Sequence, residues 1–131
     1  MHKQEVAQGP HGRVVIMGSI TQVTAAEAGC IVVSASHGGI SSAEYALAVP
    51  LALATFNDAG VGKDGAGIAA LALLQARDRA AATVGHTSAR IGDAQDSWDH
   101  GIVSHVNDAA RRLGLQPGDR LCEALRRLVG A

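Results

Sequence analysis

Short apolar runs alternate with polar, glycine-punctuated segments along this chain, and the spacing inside each run separates strands from helices. Val14 to Ile20 (VVIMGSI) and Cys30 to Ser36 (CIVVSAS) are rich in β-branched residues and follow glycines, which predicts two strands. Leu51 to Phe56 (LALATF) is predicted as a buried strand because Pro50 and a glycine-rich segment bound it, although its Ala and Leu would suit a helix as well. Ala80 to Val84 and Gly101 to Val106 (GIVSHV) bring the set to about five strands. Apolar residues at helical spacing predict a helix from Gly65 to about Arg77. A last helix is predicted from Leu121, Leu125, Leu128 and Val129, which fall at i, i+4, i+7 and i+8.

Capping patterns refine the boundaries. Thr24-Ala25-Ala26-Glu27 and Ser41-Ser42-Ala43-Glu44 both read as capping boxes, the second opening a helix that Pro50 stops. Asn107 is expected to cap a short helix that Gly114 ends. Strands alternating with helices predict an α/β fold: a three-layer sandwich with a largely parallel sheet, Rossmann-like but short of a full dinucleotide fold. Residues 1–12 are read as a polar N-terminal tail and residues 13–131 as one α/β domain.

Composition narrows the class. The net charge of −1 and three aromatic residues offer little to a polyanion or to stacked bases, so nucleic acid is not an expected partner. No apolar run approaches the roughly 18 residues of a membrane span, and the amino terminus lacks the apolar core of a signal peptide. Cys30 and Cys122 both suit small buried hydrophobes, which points to a reducing, cytoplasmic setting.

The candidate chemistry lies in three polar clusters, each directly after a predicted strand, where an open parallel sheet binds its ligands. Gly38-Gly39 precedes a helix and leaves backbone amides open to an anion, with His37 beside them as a base or acid near neutral pH. The plainer alternative is that the two glycines only turn the chain. His-Gly-Gly also occurs in esterase oxyanion holes, but the chain has no G-x-S-x-G elbow.

In the second cluster, Gly60-Val61-Gly62-Lys63-Asp64-Gly65 matches G-x-G-x-x-G. The intervening Asn57-Asp58-Ala59 and the missing acidic residue at the next strand end argue against a dinucleotide. A more general anion site remains, with Gly60 and Gly62 allowing close approach, Lys63 as a point charge, Asn57 as a polar contact and Asp58 as a proton carrier. Alternatively, Asn57 and Asp58 shape a turn. In the third cluster His86, Ser88 and Arg90 offer a titratable ring, a hydroxyl and a bidentate donor, unless Asp93 simply pairs with Arg90. Asp96, Asp99 and His100 read as the solvated face of a connection, and His105 as a hydrogen-bonded core or edge residue. No H-x-x-x-H or C-x-x-C spacing concentrates metal ligands, so neither a metal nor a cofactor is expected.

These readings combine into a small-molecule enzyme, a hydrolase or lyase for an anionic carboxylate or phosphate metabolite. His37, Asp58 and His86 are the expected catalytic residues; Gly38, Gly39, Asn57, Gly60, Gly62, Lys63, Ser88 and Arg90 the expected binding residues. The alternative is a non-catalytic nucleotide- or phosphometabolite-binding regulatory module. Apolar types make up 47% of the chain and charged types only 18%, so a homo-oligomer that hides part of the surface is expected. Sedimentation at micromolar concentration checks this, a clean monomer being the contrary result.

Overall fold

The computed structural model describes residues 2–131 and shows an α/β sandwich around one mostly parallel six-stranded sheet, one strand more than expected. The strands are β1 (Gln4–Gly9), β2 (Gly12–Met17), β3 (Ile31–His37), β4 (Leu53–Asn57), β5 (Ala81–Val84) and β6 (Val103–Val106). They lie in the sheet in chain order. β2 to β5 are mutually parallel, while β1 and β6 close the two edges antiparallel.

The additional strand is β1, inside the segment expected to be a polar tail. Its side chains are mostly exposed or half-buried, as suits an edge strand, so it carries little apolar signal. A hairpin at Pro10-His11 pairs it with β2, and just before it the Lys3 ammonium lies 2.7 Å from the buried Glu27 carboxylate. Burial alone would push the Glu27 carboxyl up, but Lys3 and the Thr24 amide and hydroxyl hold it below its ordinary value.

The helices are α1 (Ile40–Leu47), α2 (Ala69–Gln75), α3 (Ala94–His100), α4 (Asp108–Arg112) and α5 (Leu121–Val129). Parallel strands laid down in one direction by right-handed crossovers put all their connections on one face. Accordingly α1, α2 and the 3₁₀ turn at Ile20–Gln22 share one core with Val15, Met17, Val32, Ala54, Phe56 and Ala81. The alternate residues Val14, Ile16, Ile31, Val33, Leu53, Ala82 and Val84 face the second core, built from α3, α4 and α5.

Local sequence explains most element ends. Thr24 and Glu27 form the expected capping box around a 3₁₀ turn, and Asn107 caps α4 through Ala110 N. The box expected at Ser41–Glu44 is absent: Gly39 is the N-cap, and the buried Ser42 hydroxyl instead donates to His37 O at 2.7 Å. Helix α3 replaces the expected solvated connection. Asp93 caps it through Asp96 N rather than pairing with Arg90, while Ala94, Ser97 and Trp98 turn inward.

No helix among the described residues is long and apolar enough to cross a membrane. Phe56 is fully buried at the centre of the α1/α2 core. Phe56→Ala is therefore expected to destabilise the fold by about 3–5 kcal/mol, read by urea unfolding.

Candidate functional site

The carboxyl ends of β3, β4 and β5 bring all three polar clusters to one edge of the sheet. Gly38 N donates to Asn57 O at 3.0 Å, Asp58 N to Val84 O at 2.9 Å, and Gly92 N to Ala35 O at 2.9 Å. The chain leaves β4 toward the α1/α2 face and β5 toward the α3/α5 face, so the two loops diverge above their strands. Divergence of this kind is where open α/β sheets place ligands.

Asp58 occupies the start of that divergence and is 4% exposed. Its Oδ1 accepts from Gly60 N at 2.8 Å and from His86 N at 3.1 Å, and lies 3.3 Å from Nδ1 of the exposed His86 ring. Its Oδ2 lies 4.0 Å from Nδ1 of His105, and the Ser104 hydroxyl, which donates to Thr83 O at 3.3 Å, stands close enough to lower the carboxyl's pKa. Burial alone would push the Asp58 carboxyl up. The Gly60 amide, the Ser104 hydroxyl, the His86 amide and the His86 ring together hold it below its ordinary value.

Asn57 is fully buried and consumed by its own fold, with Nδ2 donating to Ala89 O at 2.9 Å and Oδ1 accepting from Ala59 N at 2.8 Å. Ser88 likewise closes a turn, donating to Gly85 O and accepting from Ile102 N. His37 is exposed, its ring lying over Gly39 with no side-chain hydrogen bond. Lys63 and Arg90 are exposed cations at the rim, and neither side chain makes an ion pair with a described residue. The main-chain N–H of Arg90 donates to Asp96.

The backbone amides expected to face a ligand are largely spoken for. Gly38 N binds Asn57 O, Gly60 N binds Asp58 Oδ1, and Gly62 N binds Gly60 O at 2.8 Å. The glycines of this loop have conformational reasons of their own. Gly60, Gly62 and Gly65 all have positive φ, and a Cβ on Gly67 would stand 1.9 Å from Asp58 O. Between them Val61 is held at φ +68°, which a β-branched residue adopts only under strain.

Thr83, Ser104 and His105 join the site without having been singled out for it. Thr83 Oγ1 and Ser104 Oγ are 2.8 Å apart, and His105 Nδ1 is 3.2 Å from Ser104 Oγ. They enter because β6 is antiparallel and therefore begins at the edge where β5 ends. Among the described residues no group of three or more His, Cys, Asp or Glu has the geometry to hold a metal ion. The arrangement is thus a buried, ionised carboxylate flanked by two imidazoles and two hydroxyls, on an α/β sheet edge. No family model matches the chain, and neither a curated protein nor a solved structure does.

Because the folded-state value of Asp58 lies below the unfolded one, its contribution to stability is fully present above about pH 3.9. That contribution is lost as pH falls through the lower folded value. Asp58→Asn should consequently be less stable than the wild type at pH 7, and the difference should shrink on acidification below about pH 4. Urea unfolding at pH 7 and at pH 3 measures it; a gap that ignores pH would mean the charge is not what matters.

Proposed function

We propose that this protein is a small-molecule enzyme, a hydrolase or lyase that applies acid–base chemistry to an anionic metabolite at the carboxyl ends of β3 to β5. The observation that carries the reading is the buried Asp58 carboxylate 3.3 Å from Nδ1 of an exposed imidazole, His86. A carboxylate in that place favours the proton on Nδ1 and so keeps Nε2 as an outward-facing base. The same carboxylate stabilises the imidazolium that forms when the base takes a proton. Lys63 and Arg90 supply unpaired positive charge at the rim, suited to a carboxylate or phosphate group. His37, whose ring makes no hydrogen bond with a described residue, is an additional proton carrier at the end of β3. Sparse surface charge and two unpaired cysteines support a cytoplasmic homo-oligomer.

A second reading, a non-catalytic module that binds a phosphorylated effector, is favoured by the engaged amides of Gly38, Gly60 and Gly62. Without those donors the site has less means of stabilising an oxyanion. Asp58 and His86 would then act as a clasp between loops.

A thermal-shift screen over inorganic phosphate, phosphate monoesters and dicarboxylates separates the two. A ligand at 100 times its Kd stabilises the wild type by about 2.7 kcal/mol. Lys63→Met should abolish that shift, whereas His86→Ala should retain it and lose turnover of the same compound by about 10²-fold or more. Binding without any turnover would favour the module, and an absence of stabilisation by every anion class would remove both readings.

A further inference from the structure

The two helical layers of the sandwich meet solvent with opposite chemistry. On α3, α4 and α5 every exposed position carries a titratable side chain, from Asp99 to Arg127. The exposed positions of α1 and α2 are Ile40, Ser41, Glu44, Tyr45, Ala72 and Leu73, which hold one charge among them. Ile40 is 63% exposed, Tyr45 46% and Leu73 40%. Helix α2 (AALALLQ) is apolar all round except for Gln75, the pattern of a helix covered on every side. Apolar faces of this kind are where proteins associate, and a tyrosine among aliphatic residues suits the core of such a contact.

Two charges border the face, and they are opposite. Glu44 stands on α1 one turn after Ile40, and Arg77 one turn after Leu73, just beyond the end of α2. Both are exposed, and neither side chain makes an ion pair or a hydrogen bond with a described residue. Glu44, Tyr45 and Ala48 line an open hollow of about 310 Å³. A carboxylate beside a phenol ring is a receptor for a guanidinium, since the carboxylate accepts its N–H groups and the ring stacks on its planar face. The same face thus carries a receptor for an arginine and an arginine without a partner. A twofold axis lying in the face, midway between the two groups, exchanges them. A second copy so placed sets its Arg77 in the first copy's hollow and receives the first copy's Arg77 in its own, an isologous contact in which every interaction is made twice.

We propose that the α1/α2 face is the interface of a twofold homodimer in which Arg77 of each copy occupies the hollow beside Glu44 and Tyr45 of the other. Ile40 and Leu73 are covered around that contact. The inference rests on the homo-oligomer reading and not on the acid–base chemistry. It adds the face, the symmetry and the pair of charges that selects a second copy of this chain over another partner. It also gives a place for the shortage of charge in the chain, 18% against 47% apolar, because the missing charges are missing from one layer.

Sedimentation of the intact protein at micromolar concentration reads the outcome. The wild type should run as a dimer. Glu44→Arg and Arg77→Glu should each weaken the dimer by about tenfold or more, because like charges then meet at both contacts. An equimolar mixture of the two variants should dimerise again, since the mixed pair sets opposite charges at each contact. Leu73→Glu, which buries a charge in the same face, should leave a monomer and serves even if a charge reversal fails to fold. A monomeric wild type would remove the homo-oligomer reading and this interface with it. An assembly that survives Leu73→Glu and both reversals would keep the oligomer but overturn this face. Dissociation by the single reversals with no recovery in the mixture would overturn the pairing of Arg77 with Glu44.

Discussion

A single buried carboxylate ties together the two loops on which the candidate site at the edge of this sheet depends. Asp58 caps the end of β4, and its Oδ1 receives an amide from its own loop, Gly60, and one from the loop after β5, His86. Those loops depart to opposite faces, so no continuous secondary structure joins them. Charge-assisted hydrogen bonds to a carboxylate are roughly twice as strong as neutral ones, and leaving such a group buried without donors would be costly. The desolvation of Asp58 is therefore tolerated because the donors are already in place when the chain folds. The charge that holds the loops also lies 3.3 Å from the His86 ring, so in the proposed function structure and chemistry draw on the same group.

Monotonic strand order sets up this arrangement. From β2 to β5 each connection returns over one face, and only after β5 does the chain cross to the other, where α3 and α5 pack. The crossing happens next to Asp58. The close approach of the turn before α1 to the 59–67 loop requires glycine at 38: a Cβ on Gly38 would stand 2.6 Å from Gly67 O. Glycine richness here serves backbone-on-backbone packing and left-handed turns before it serves any ligand. That weakens the inference from glycine content to a phosphate cradle, and it shifts the weight of the functional argument onto the carboxylate and the imidazoles.

Much of the sheet was legible because burial on both faces leaves β-branched runs such as Val14 to Met17 and Ile31 to Val33 with no polar interruption. β1 was not, since Gln4, Glu5 and Gln8 of this edge strand are all exposed and leave no apolar run to read. Helix α3 hid for a related reason: seven residues with Asp, Gln and His outward offer only Ala94, Ser97 and Trp98 as an apolar stripe. That Asp58 and His86 would lie together at one sheet edge was legible from the strand-end rule. Ser104 and His105 were not, because the rule concerns the carboxyl ends of parallel strands and these residues sit near the amino end of an antiparallel one. The engagement of the Gly38, Gly60 and Gly62 amides was beyond reach as well, because an amide's partner is decided by loop conformation and not by composition.

The distribution of charge around this edge is what makes an anion the partner in the proposed function. Asp58 is buried and already surrounded by donors, so its negative potential is spent inside the protein. Lys63 stands in solvent in no ion pair with a described residue, and Arg90 is likewise exposed, its charge shared in part with the Asp96 carboxylate. In the proposed function a carboxylate or phosphate would meet these cations first and then imidazoles whose carboxylate is screened by its own hydrogen bonds. Screening by salt falls on the exposed cations and spares the buried contacts, so ionic strength acts on capture more than on proton transfer. In the proposed function, capture and chemistry would fall to different residues of one edge, which is the separation an acid–base enzyme needs if binding is not to neutralise its base.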